Sequence, residues 1–232
     1  MNLIISPKVQ GLINCLLKTF KSTEWSGPAF YKKVKEDGFG WSDTWELVGF
    51  VPLDLGCAAS TEFDGKDFIK QQKKMFNAYP EFQNCYQGLI HSHHGLSGGA
   101  FFSGTDTGQI EEAANKVGYP SLVVAHPHTG SPYAFAVSYI DQFNQVHVTS
   151  PEDATVIVTY PKVTPEGYFK TCLNRLKKES KKKPIYTNYG GYLSPYYKVN
   201  EKNQMSLLSA EERKNFAIEN SEDDDIDYYG GF

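Results

Sequence analysis

The stretch that most narrows what this chain can fold into is Leu89-Ile90-His91-Ser92-His93-His94-Gly95, followed by Phe101-Phe102-Ser103-Gly104-Thr105-Asp106. It reads as a short apolar strand ending in histidines, a glycine-rich loop, and the start of a helix. On an extended chain His91 and His93 project to the same side. Asp106 follows just beyond the loop. Two imidazoles and a carboxylate, with water in the fourth place, make an open catalytic zinc site, so zinc is the expected cofactor and His91, His93 and Asp106 its expected ligands. Ser103, three residues before Asp106 at the helix start, can point its hydroxyl into the same cavity and donate to an oxyanion.

The rest of the chain must supply a core to hold these groups. Of its 232 residues, 40% are hydrophobic and 14% aromatic, enough for one packed domain with a small appendage. The net charge of −4 gives no global attraction to nucleic acid or an anionic membrane. No apolar run approaches a membrane span. The first residues, Met1 to Ser6, lack the features of a signal peptide. Cys15, Cys57, Cys85 and Cys172 form no C-x-x-C pair and read as free thiols in a reducing compartment, so a cytoplasmic location is expected.

Ser6-Pro7 starts a helix whose Val9, Leu12, Ile13, Leu16, Leu17 and Phe20 share one face. Extended runs follow at Ala29–Lys35 and about Trp45–Leu55. A helix is expected over Lys66–Asn77, the histidine strand over Tyr86–Ile90, and a helix over roughly Thr107–Lys116, stopped by Gly118-Tyr119-Pro120. Further strands are expected at Ser121–Ala125, Pro132–Ile140, Val146–Thr149 and Thr155–Tyr160. Helices and strands mix without strict alternation, which predicts an α/β (α+β) domain, a mixed sheet flanked by helices, over residues 1–160. Residues 161–232 form a C-terminal extension: a helix over Pro165–Ser180 with Phe169, Cys172, Leu173 and Leu176 on one face, a tyrosine-rich loop from Tyr186 to Tyr197, a short helix over Glu211–Ile218, and an acidic tail. Between Lys162 and Lys183, eight Lys/Arg face two Glu; a solvated helix face accounts for them more simply than a nucleic-acid surface.

The pattern H-S-H, a loop, then S-G-T-D resembles the JAMM motif of the MPN-plus (JAB-domain) metalloproteases, the zinc-dependent deubiquitinases and their prokaryotic relatives. The resemblance covers about residues 7 to 160 and includes the order of elements. It implies a JAB/MPN-like fold and a zinc-dependent peptidase or isopeptidase activity. The implied substrate is ubiquitin, or a ubiquitin-like protein, ending in a slim glycine-rich tail. A protein partner through the C-terminal extension is a further expectation. Two departures stand out. The loop from His94 to Phe102 has nine residues against the family's usual seven, with Gly98-Gly99 looking inserted, and His94 stands where better-known members carry proline. His94 reads as a wall or substrate contact.

The family also places an E-x-x-G on an early strand, and two stretches match: Glu24-Trp25-Ser26-Gly27 and Glu46-Leu47-Val48-Gly49. Counting elements before the Lys66 helix favours Glu24 as the catalytic base, the group that moves a proton from water to the leaving amine. A second H-x-H, His126-Pro127-His128, has no carboxylate or cysteine at ligand spacing and reads as surface or supporting histidines. The zinc-deaminase, H-E-x-x-H and phosphate-loop patterns are absent. The competing expectations are an inactive MPN-like interaction scaffold, or a JAB peptidase acting on sulfur-carrier-like or cell-wall peptides.

Overall fold

The computed structural model describes residues 1–21, 23–36, 42–56, 65–93, 99–126, 131–158, 166–181, 197–199 and 205–207. Its first compact unit runs from Met1 to Lys182. Among the described residues it is a mixed α/β unit of four helices and a curled mixed sheet. The strands are β1 (Asn2–Ile5), β2 (Trp25–Lys35), β3 (Thr44–Phe50), β4 (Asp54–Leu55), β5 (Tyr86–Ser92), β6 (Tyr119–Val124), β7 (Tyr133–Ile140), β8 (Val146–Val148) and β9 (Thr155–Val158). They pair in the order β8-β7-β6-β5-β2-β3-β1-β9, with β4 added beside β2. β5 runs antiparallel to β2 and parallel to β6, so the histidine strand lies inside the sheet with a neighbour on each side.

Helix α1 (Pro7–Thr19) carries the expected apolar face: Val9, Leu12, Ile13, Leu16 and Leu17 are buried, and Phe20 closes it. Gln10, a polar residue on that face, is also buried; its amide donates to Asn14 and to the Tyr133 hydroxyl, which keeps its nitrogen satisfied. Helix α2 (Gly65–Ala78) extends the expected Lys66–Asn77 run by one residue at each end.

Several expectations change. Met1–Ser6 holds a strand, β1, lying between β3 and β9 and parallel to both. Its short run Leu3-Ile4-Ile5 has no alternation to betray it, and its partners lie about forty and one hundred and fifty residues away. The run at Trp45–Leu55 divides into β3 and β4 where Val51–Leu53 crosses Gly27 of β2. There the Val51 N–H donates to the Pro28 carbonyl at 2.9 Å and the Leu53 N–H to the Ser26 carbonyl at 2.8 Å. Helix α3 spans Gly104–Glu112 rather than Thr107–Lys116, because Ser103 caps it earlier and Asn115 leaves it to bridge Tyr139. Tyr119-Pro120, read as a stop, opens β6. Pro120 precedes the first rung with β5, at Ser121, so its missing N–H is not needed there.

The compact unit also takes in α4 (Gly167–Ser180), assigned above to an extension beginning at residue 161. Its Phe169, Cys172, Leu173 and Leu176 are buried in the common core. Phe169 stacks on Tyr79 at 5.2 Å and meets Phe50, which stacks on Trp25. Burial pushes the Cys172 thiol up to about 11, so it stays a neutral core group. The Arg175 guanidinium donates to the Pro52 and Leu53 carbonyls at 2.8 and 2.7 Å, clamping the crossing segment from behind.

Lys183–Phe232 forms a second unit, described only at the antiparallel pair β10 (Tyr197–Val199) and β11 (Met205–Leu207). The tyrosine loop before Tyr197, the Glu211–Ile218 helix and the acidic tail lie outside the described residues, as does Cys57. Cys15, Cys85 and Cys172 are free thiols. No helix among the described residues is long and apolar enough to cross a membrane.

Candidate metal centre

Strand alternation and a helix cap build the centre. His91 ends its side of β5 within the strand and His93 follows one residue past it, so both rings project to one face. Each residue is nearly buried, at 6% and 7% exposure. The His93 N–H donates to the Val124 carbonyl at 2.8 Å, which holds the strand end to β6. The Phe101 ring meets the His93 ring edge-on at 4.7 Å.

Asp106 reaches the same point from α3. The Ser103 N–H donates to Asp106 Oδ2 at 2.8 Å, and the Asp106 N–H donates to Ser103 Oγ at 3.2 Å, a reciprocal capping box. Ser103-x-x-Asp106 is therefore a folding device as well as a site motif. The cap occupies Oδ2 and turns the carboxylate toward the histidines. Burial pushes the Asp106 carboxyl up, but the His91 and His93 rings beside it and the Ser103 N–H outweigh that and hold the group well below the usual carboxylate range.

The potential ligand atoms of His91, His93 and Asp106 all lie within 4.8 Å of one another, and the group can hold a metal ion. His91 Nε2 is 3.4 Å from His93 Nε2 and 3.3 Å from Asp106 Oδ1, while His93 Nε2 is 3.6 Å from Asp106 Oδ2. Charge-assisted N–H···O bonds are shorter, about 2.7–2.9 Å. These separations are those of donors converging on a common point rather than of groups bonded to each other.

The two E-x-x-G stretches part company here. Ser26 pairs with His91 across β2 and β5, and cross-strand partners share a face. The ladder ends at that rung, and Glu24 lies two residues before Ser26, next to the end of β5 that carries the histidines; Glu24 is half-buried. Glu46 pairs with Lys32, six residues further along β2, or about 20 Å at the usual strand rise. Both glycines have packing reasons of their own: a Cβ on Gly27 would meet the Val51 carbonyl, and one on Gly49 the Phe82 ring. Register, not glycine, separates the two stretches.

Gly99 lies in the left-handed region at φ 128°, which suits the glycine-rich loop; His94 and Gly98 lie outside the described residues. His126 follows β6 and is partly buried, while Pro127 and His128 are not described. Sequence reading passed over Ser92. Its hydroxyl accepts the Trp25 N–H at 3.0 Å, with both groups buried. A serine between two histidines carries no local signal for that bond.

Ser103→Ala separates the two uses of the cap. Removing Oγ is expected to cost about 1 kcal/mol of stability, read as a Tm lowered by a few degrees. The bond to the Asp106 carboxylate comes from the Ser103 main chain and survives. Metal affinity, measured by competition with a chromogenic chelator, is expected to stay near the parent value.

No model of a known protein family matches the chain, and a search of curated proteins finds no match.

Proposed function

We propose that the chain is a zinc-dependent peptidase or isopeptidase of JAMM type, with a JAB/MPN-like core. His91, His93 and Asp106 hold the metal, Glu24 is the general base, and Ser103 donates to the oxyanion. The observation that carries this reading is the convergence of His91, His93 and Asp106, whose ligand atoms all lie within 4.8 Å of one another, at the strand end whose Ser26–His91 rung lies two residues from Glu24.

The donor set and its spacing support zinc. A tetrahedron with zinc–ligand legs of 2.0–2.1 Å has edges of about 3.3–3.4 Å. When bound, zinc supplies a water that ionises near neutral pH and polarises the scissile carbonyl. The chain's residues do the rest. Glu24 accepts a proton from the attacking water and returns it to the leaving amine. The Ser103 hydroxyl, whose oxygen already accepts the Asp106 N–H, keeps its own hydrogen to donate to the developing oxyanion. The cap keeps Asp106 from swinging away between turnovers.

The substrate class follows the resemblance: a carbonyl at the end of a glycine-rich tail, as in ubiquitin or a ubiquitin-like protein, in the reducing cytoplasm. The test is a metal assay of the purified chain, with incubation against ubiquitin chains and ubiquitin-like tails, with and without chelator. Stoichiometric zinc, cleavage lost on chelation and regained with zinc are expected. A natively folded chain that takes up no zinc and cleaves nothing is instead an interaction scaffold. Zinc-dependent cleavage of sulfur-carrier-like or cell-wall peptides alone keeps the chemistry and moves the substrate.

A further inference from the structure

The residue between the two metal-site histidines is placed to act on the base. Ser92 is buried at 2% exposure, and alternation turns its side chain off the ligand face. The β2–β5 register runs as far as the pair Ser26–His91. One residue further on, a side chain makes the connection: Ser92 Oγ accepts the main-chain N–H of Trp25 at 3.0 Å. That N–H belongs to the peptide joining Glu24 to Trp25. The other edge of the same peptide, the Glu24 carbonyl, accepts the N–H of Gly56 at 2.9 Å. The peptide plane that leaves the Glu24 Cα is thus held on both sides, by the β4 end and by the histidine strand. The Trp25 ring, fully buried and stacked on Phe50 at 5.6 Å, anchors the residue that follows.

We propose that Ser92 is a positioning residue: its hydroxyl ties the Glu24–Trp25 peptide to the ligand strand and so sets where the Glu24 carboxylate stands relative to the attacking water. The proposal rests on the peptidase reading above, with Glu24 as base. A hydroxyl suits the task because it reaches past the last rung of the ladder, Ser26–His91, where main-chain pairing between β2 and β5 stops. Alanine leaves a buried N–H without an acceptor, and the peptide can then tilt. Threonine keeps the oxygen and suits a strand.

The test uses the full zinc-loaded chain and the ubiquitin chain or tail that the parent cleaves best. Ser92→Ala is expected to bind zinc with unchanged stoichiometry and to keep its KM, while kcat falls roughly 10- to 100-fold, as misplacing a reacting group by about an ångström can do. Ser92→Thr is expected to restore most of kcat. In a Glu24→Gln background Ser92→Ala is expected to add no further loss, because the two act through one group. Hydrogen exchange at the Trp25 amide is expected to quicken in Ser92→Ala. A folded, zinc-loaded Ser92→Ala with parental kcat overturns the proposal, as does a kcat loss that tracks loss of zinc or persists undiminished in Glu24→Gln. Where Ser92→Ala does not fold, Ser92→Cys, with its weaker acceptor, replaces it, and a parental kcat there overturns the proposal equally. A zinc-loaded parent that cleaves nothing in the panel overturns the peptidase reading itself, and this inference falls with it.

Discussion

The Glu24→Gln chain is expected to lose turnover by roughly two to four orders of magnitude, the usual worth of a positioned general base, while its zinc content stays that of the parent. Glutamine has nearly the same shape and cannot accept the proton, and Glu24 is outside the group that can hold the metal. The measurement is single-turnover cleavage of the best ubiquitin-type substrate beside a metal assay on the same preparation. Glu46→Gln makes the comparison decisive. Glu46 pairs with Lys32 and Ile4, far along the sheet from the Ser26–His91 rung, so its loss is expected to leave cleavage near the parent rate. Parental activity in Glu24→Gln with near-complete loss in Glu46→Gln would reverse the assignment. Loss of zinc in Glu24→Gln would instead make Glu24 a ligand.

The largest stability effect is expected at Gly27→Ala. A Cβ there would lie 1.7 Å from the Val51 carbonyl oxygen, 2.8 Å from its carbon and 3.0 Å from the Leu53 nitrogen. All three are main-chain atoms of the segment that bonds to Pro28 and Ser26 and that Arg175 grips from the other side. No side chain is available to swing aside, so the crossing segment must lift and lose those bonds. A cost of about 4 kcal/mol or more is expected, in the range reserved for gross steric or network damage. Thermal unfolding then shows a Tm roughly 10 °C lower, or no folded chain is recovered. Gly104→Ala and Gly108→Ala in α3 are the controls. Nothing lies within 4 Å of a Cβ at either position, and alanine favours a helix there. A Gly27→Ala chain as stable as these controls would mean that Val51–Leu53 does not cross β2 as described.

Gly27 and Gly49 show how far motif reading goes. As letters, E-x-x-G occurs twice, and counting elements favours the first. The physical difference lies in which rung each glutamate occupies, and a rung belongs to two strands at once. Ser26 meets His91 sixty-five residues later in the chain. Nothing near Glu24 names that partner, since any apolar strand of suitable length satisfies the same local preferences. The same reason hides β1, whose partners lie in β3 and β9, and hides the place of α4. Its apolar face is plain in the sequence, but only Phe169 against Tyr79 and Phe50, and Arg175 against Pro52 and Leu53, says where that face goes.

By itself the sequence determined the chemistry of the donors and their local geometry. Two histidines two apart must share a face of a strand, and Ser-x-x-Asp after a glycine-rich loop must favour a helix cap, because both rest on bonds a few residues long. The tertiary structure alone decided that the cap and the strand meet, that Glu24 lies two residues from the Ser26–His91 rung while Glu46 pairs six residues further along β2, and that the Ser92 hydroxyl bonds the peptide after Glu24. Those relations depend on strand register and helix docking, which are settled by burial summed over the whole core and not by any one segment's preference.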